Sequence, residues 1–94
     1  MTSSQLKTHL KNLPHWRYLA KTKSIATTHK AKNFLDVVRL IRKIAVLAEK
    51  ADHHPDLHLT RYRHLRIVLS THSLGQVSFK DIHLASKIEK LLSR

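Results

Sequence analysis

The chain has 94 residues, a net charge of +12 at pH 7 from 18 Lys and Arg against 6 Asp and Glu, and no cysteine. This length fits one domain, residues 1–94, and the lack of cysteine excludes a disulfide scaffold, a thiol nucleophile and a cysteine zinc site. No apolar run is long enough for a membrane span, and the first residues lack the apolar core of a secretory signal, so we expect a cytoplasmic protein. The charge suits an anionic partner without choosing among nucleic acid, an acidic protein and an anionic substrate.

The first third of the chain predicts a short helix and two strands. Residues Gln5 to Leu13 suit a helix that ends at Pro14, because the residue before a proline is disfavoured in helical geometry. Trp16 to Leu19 and Ser24 to Ala31 suit two strands, joined by the basic turn Lys21 to Lys23.

The strongest helical pattern runs from about Phe34 to Ala51. Apolar residues recur there at spacings of three and four and predict one wide apolar stripe, formed by Phe34, Val37, Val38, Ile41, Ile44, Ala45 and Ala48. Asn33 is a suitable N-cap, with Asp36 three residues later. Pro55 predicts the end of this helix.

Period-two alternation follows between Leu57 and Thr71 and predicts two strands. The inward positions of the second strand are Leu65, Ile67, Leu69 and Thr71. Leu57 and Leu59 predict its partner, with a turn near Arg61 to Arg63. Ser78 and Asp81 then frame a capping box for a second amphipathic helix. The order α, β-β-α-β-β-α predicts an α+β fold, an antiparallel four-stranded sheet with helices packed on one face.

Nine histidines are the unusual feature of the composition. His53 and His54 stand where the long helix ends, and His72 ends the core strand. Imidazoles titrate near neutral pH, so two or three of them in one site can donate and accept protons within a turnover. Adjacent side chains in an extended segment point in opposite directions, so His53 and His54 cannot line one surface in the same manner.

Two other interpretations of the histidines stay open. A histidine at a helix C-terminus is commonly a solvated residue favoured by the helix dipole. We assign the following to the surface: His9, His15, His58, His64 and His83. Zinc binding by three histidines with Asp52 or Asp56 is a weaker alternative, because no His-x-x-x-His pair there lies on one helical face.

The combined spacing of five elements is more specific than any of these patterns alone. Glu49, His53-His54-Pro55, Tyr62, His72 and Asp81 follow one another at intervals that resemble the signature of the pterin-4a-carbinolamine dehydratases. The resemblance implies an α+β subunit that forms a homodimer or homotetramer through sheet edges and helices. It also implies dehydration of 4a-hydroxytetrahydropterin to quinonoid dihydropterin, in tetrahydropterin recycling, with no metal or organic cofactor.

The resemblance also implies residue roles. The catalytic residues would be His53, His54, His72 and Asp81, and the substrate-binding residues Glu49, Trp16 and Thr71. Because losing water from a carbinolamine needs an acid and a base, we expect His53 and His72 to exchange protons with the substrate while His54 holds the pterin. Asp81 is expected to orient His72, or else only to cap its helix. Trp16 could stack on the pterin or lie in the core, Glu49 could be solvated, and Tyr62 is expected to pack on the sheet.

A binding module on the same fold is the alternative function. Proteins that resemble this family include a dimerisation cofactor of a transcription factor and chaperone-like members that assist assembly of a large carboxylase. The three imidazoles favour the enzyme, whereas the charge of +12 favours an acidic protein partner. Direct nucleic-acid binding is disfavoured, because Lys and Arg are spread over the chain with no compact basic segment and no aromatic-interleaved RNA motif.

Overall fold

A computed structural model describes residues 1–94 as three helices and a four-stranded antiparallel sheet. Helices α1, α2 and α3 span Ser3–Lys11, Phe34–Ala51 and Phe79–Leu92, strands β1 to β4 span Arg17–Leu19, Ser24–Lys30, Asp56–Thr60 and His64–Leu69, and a short 3-10 turn spans His72–Leu74. The strand order in the sheet is β1-β2-β4-β3. The predicted α+β class is confirmed, with element bounds shifted by at most a few residues.

One face of the sheet forms the core with α2 and α3. The register pairs Ile25 with Leu69 and Leu57 with Ile67, so these side chains share a face. They pack in a single apolar cluster with residues from both long helices, which include Val37, Ile44, Leu84 and Ile88. The alternate residues of the strands lie on the opposite face, which no helix covers and which carries polar groups such as Arg66.

Helix α2 begins and ends where local chemistry dictates, but its predicted apolar stripe is only partly buried. Asn33 Oδ1 accepts a hydrogen bond from the Asp36 amide at 2.8 Å, as its N-cap position predicts. Val37 is fully buried, whereas Phe34 and Val38 are 55% and 41% exposed. The predicted stripe is therefore buried along one side only, because a helix lying on one layer covers only part of so wide a band.

The other turns and caps follow the sequence closely. Helix α3 begins with the predicted capping box of Ser78 and Asp81, and α1 begins with a similar box formed by Thr2 and Gln5. The last turn of α2 ends at Asp52, which adopts a left-handed conformation with φ 49° three residues before Pro55. None of the helices has the length and apolarity that a membrane crossing requires.

Candidate active site

His53 reaches from the end of α2 to the first turn of α3. Its Nε2 lies 2.5 Å from Oδ1 of Asp81, whose side chain is completely buried, and the His53 side chain is 12% exposed. The left-handed Asp52 turns the chain at this point, and the His53 amide donates to the Ala48 carbonyl at 3.1 Å. Because an ionised carboxylate can only accept, Nε2 of His53 carries the hydrogen and Nδ1 is left for another partner.

Asp81 joins three separate segments of the chain. Its Oδ2 accepts from the Thr71 hydroxyl at 2.8 Å and from the Ser78 amide at 2.9 Å. Thr71 is itself buried beyond the end of β4, and its oxygen lies 2.6 Å from the Ser78 hydroxyl. Asp81 therefore caps α3 and also holds His53. The expected contact from Asp81 to His72 was wrong, because the carboxylate pairs with His53 and meets only the residue preceding His72 in the chain.

His72 and Thr71 line a cavity of about 430 Å³ on the open face of the sheet. The other polar groups in its wall are Asp56, His58, Arg66, Ser70, Thr22 and Ser24. Hydroxyl, carboxylate, imidazole and guanidinium groups together offer donors and acceptors to a flat heterocycle with a polar edge. The sequence assigned His58 to the surface, where it is exposed, but did not predict its place in this wall. The alternation of His58 with Leu57 and Leu59 would have placed it on the open face of the sheet, where it pairs with Arg66.

His54 and Glu49 form an exposed pair outside this cavity. Nε2 of His54 lies 2.5 Å from Oε2 of Glu49, and the two side chains are 60% and 75% exposed. His53 and His54 thus diverge, as adjacent extended residues must. The three imidazoles do not line one common cavity: His72 lines it, His53 lies behind Thr71 on Asp81, and His54 is on the outer surface. No group of three His, Asp or Glu side chains has the arrangement of a metal site.

Trp16 lies in the core rather than in the cavity wall. It is 4% exposed, and its indole N–H donates to Glu89 Oε1 at 2.9 Å. Arg94 Nε donates to the other oxygen of Glu89 at 3.0 Å. Burial alone would raise the pKa of Glu89, but the hydrogen bonds from Arg94 and Trp16 outweigh it and hold this pKa below its ordinary value. Trp16 therefore occupies the core position that the sequence also allowed, and its expected substrate-binding role stays a prediction.

A sequence profile of the family described as Pterin 4 alpha carbinolamine dehydratase matches residues 1–91. The chain belongs to this family. It is 38% identical over 91 residues to a protein of Sulfolobus acidocaldarius, covering 97% of each chain. It is 39% identical over 94 residues to a protein of Mycobacteroides abscessus, covering 100% of this chain and 97% of the relative. Both relatives bear the name "Putative pterin-4-alpha-carbinolamine dehydratase".

Solved structures agree with membership of the pterin carbinolamine dehydratase family. A Brucella melitensis protein described as a transcriptional coactivator/pterin dehydratase superposes with a TM-score of 0.92 at 29% identity, covering 98% of this chain and 97% of that one. A pterin dehydratase-like protein, identified as a RuBisCO assembly factor in the alpha-carboxysome, has a TM-score of 0.69 at 17% identity, covering 82% and 88%. At 17% identity, the similarity to the second protein shows a shared fold only.

Proposed function

We propose that this protein is a hydro-lyase that converts a 4a-hydroxytetrahydropterin to the quinonoid dihydropterin in tetrahydropterin recycling. The observation that carries the proposal is the hydrogen-bonded series from His53 through Asp81 to Thr71, which lines the same cavity as His72. It connects His53 to the cavity through the buried carboxylate of Asp81, while His72 lines that cavity directly. Membership of the dehydratase family supports the same reaction.

The proposed reaction is a balanced elimination that requires one acid and one base. The C4a–O bond breaks, and the leaving hydroxyl takes a proton and departs as water. The proton on the adjacent N5 is removed, and its electron pair forms the C4a=N5 double bond. No electrons enter or leave, so side chains that transfer protons near neutral pH suffice for this chemistry.

We assign one proton transfer to His72 and the other to His53, which would act through Asp81 and the Thr71 hydroxyl that lines the cavity. His72 lines the cavity in which we place the pterin ring, and the hydroxyl of Ser70 and the carboxylate of Asp56 can hydrogen-bond its polar edge. His53 is oriented by Asp81, as a catalytic imidazole must be to present one defined nitrogen. His54 is paired with Glu49 outside this cavity, so its expected role of holding the pterin stays a prediction.

The direct test is the dehydration of freshly prepared 4a-hydroxytetrahydropterin, followed by absorbance. The His72→Ala and His53→Ala variants should each lose roughly 10²- to 10⁴-fold in kcat/KM, the usual contribution of a general acid or base. His83→Ala is the matched control, because His83 is an exposed histidine on α3 outside the cavity, and it should keep the wild-type rate. A wild-type protein that adds nothing to the spontaneous rate would refute the proposal.

A protein-binding module is the second candidate, and the outer face of α2 favours it. Leu35, Val38 and Val46 on this helix are 57%, 41% and 50% exposed, which leaves an apolar surface for another protein. The Brucella melitensis relative is described as a coactivator as well as a pterin dehydratase. We propose that this face joins copies of the chain into a homodimer or homotetramer, and a chain that stays monomeric would leave it for the partner of a binding module.

A further inference from the structure

Six lysine and arginine side chains that are distant in sequence meet at the end of the sheet opposite His72. The turn after β3 carries Arg61 and Arg63, and Lys30 lies beside it because β2 pairs Lys30 with His64. Arg63 Nη1 donates to the Lys32 carbonyl at 3.4 Å. Lys32 then shares a groove of about 270 Å³ with two cations of α2. We call this surface the basic end, and its cations are Lys30, Lys32, Arg39, Lys43, Arg61 and Arg63.

The positive charge of the basic end is largely uncompensated. The only carboxylate that lines its groove is Asp36, which lies 3.3 Å from Nη1 of Arg39. Desolvation and then the charges of Arg61, Lys30 and Arg63 lower the pKa of His64, which lies between them. Six cations with one lining carboxylate make a positive surface, and such a surface attracts anions.

The turn at the basic end also displays an aromatic ring in a strained backbone. Arg61 and Tyr62 both have positive φ, 46° and 55°, in a sequence without glycine or asparagine at either position. The Tyr62 ring is 58% exposed, and the Arg63 guanidinium lies 5.6 Å from its centroid. Hairpin turns commonly contain such residues, but glycine or asparagine usually occupies them, so this turn holds its side chains in a costly conformation. The expectation that Tyr62 packs on the sheet was wrong, because the turn carries the ring outward.

We propose that the basic end binds single-stranded nucleic acid, with phosphates on its cations and an unstacked base on Tyr62. Cations alone would suffice for an acidic peptide, but an exposed ring between two arginines suits base stacking. The sequence argued against nucleic acid because no basic segment is compact. The fold assembles that segment in space, and Arg61-Tyr62-Arg63 interleaves an aromatic residue with cations.

The test is fluorescence anisotropy with a labelled single-stranded oligonucleotide of about 16 nucleotides, titrated at several salt concentrations. The logarithm of the binding constant should fall with the logarithm of salt concentration, with a slope of about −0.7 for each phosphate contact. Lys32→Glu combined with Arg61→Glu should weaken binding at least about tenfold and flatten this slope. The control, Lys87→Glu combined with Lys90→Glu on α3, makes the same charge change elsewhere and should retain most of the affinity.

Tyr62→Ala separates nucleic acid from an acidic partner, because it leaves the charge unchanged. It should weaken single-strand binding about fivefold or more and leave binding of a duplex of the same length unchanged. Equal losses in the two double variants would overturn the proposal. So would an unaffected Tyr62→Ala together with equal competition by a polyglutamate peptide, which would indicate an acidic protein partner. Circular dichroism melts of each variant exclude unfolding as the cause, and Tyr62 and Lys32 are both exposed.

Discussion

Asp81 caps α3 and also holds the His53 ring, and replacing it with a neutral residue of the same shape tests what its carboxylate contributes. Asparagine has the same shape but only one accepting oxygen, so it cannot serve His53, Thr71 and the Ser78 amide together. A buried donor left without an acceptor costs about 1–3 kcal/mol. We therefore expect Asp81→Asn to lower the free energy of unfolding by about 1–3 kcal/mol in urea denaturation.

The matched control is Asp36→Asn, which removes an exposed carboxylate near the start of the other long helix. Asp36 is ion-paired with Arg39 at 3.3 Å, and such surface pairs contribute less than about 1 kcal/mol. If the proposed reaction is right, Asp81→Asn should also lower kcat while the control does not, because His53 would lose its orientation. Equal free energies of unfolding in the two variants would contradict a stabilising role for the buried Asp81 carboxylate.

Helix caps were predictable from the sequence because they depend on neighbouring residues. Side-chain contacts between distant segments were not, because only the folded chain brings them together. Asn33 and Ser78 were identified as caps because capping depends on residues three apart. The partner of Asp81 was not, because it lies 28 residues away and the fold alone brings His53 to it. The position of His58 could have been predicted, since the alternation of side chains along β3 places it on the open face of the sheet. The burial of Trp16 was left open, because a single aromatic residue beside a strand does not reveal which side is covered.

The β3–β4 turn is the element in which local preference and observed structure disagree most. Left-handed backbone costs a non-glycine residue about 1–2 kcal/mol, and glycine avoids that cost while losing about 0.5–1 kcal/mol of chain entropy. Arg61→Gly combined with Tyr62→Gly should therefore raise the free energy of unfolding, by about 1 kcal/mol, in chemical denaturation. Lys21→Gly is the control, because Lys21 lies in the β1–β2 turn and does not have positive φ. This variant should have a lower free energy of unfolding than the wild type. A destabilised double variant would show that the turn is not strained.

At the scale of the whole molecule, 21 of 94 residues are buried, so the core is small and apolar surface remains outside it. The radius of gyration of 12.8 Å is that of a compact unit of this length. The candidate cavity and the basic end lie at opposite ends of β4, while the apolar side of α2 is on the helical layer. The proposed catalytic and nucleic-acid surfaces are therefore separate, whereas the proposed association surface shares α2 with Arg39 and Lys43 of the basic end.

Self-association is tested by substituting the exposed apolar residues of α2 and measuring the assembly state. Leu35→Glu combined with Val38→Glu places two charges on the exposed side of α2, and an interface there cannot bury them without a large desolvation penalty. We expect the wild type to sediment as a dimer or tetramer, and the variant as a monomer of 10.9 kDa. Leu74→Glu is the control, because Leu74 is 60% exposed but lies in the 3-10 turn after β4, and it should leave the assembly unchanged. The melting temperature of the wild type should rise with protein concentration and that of the α2 variant should not, since association stabilises the folded chain by mass action. A wild type that sediments as a monomer at all concentrations would assign the apolar side of α2 to a different protein.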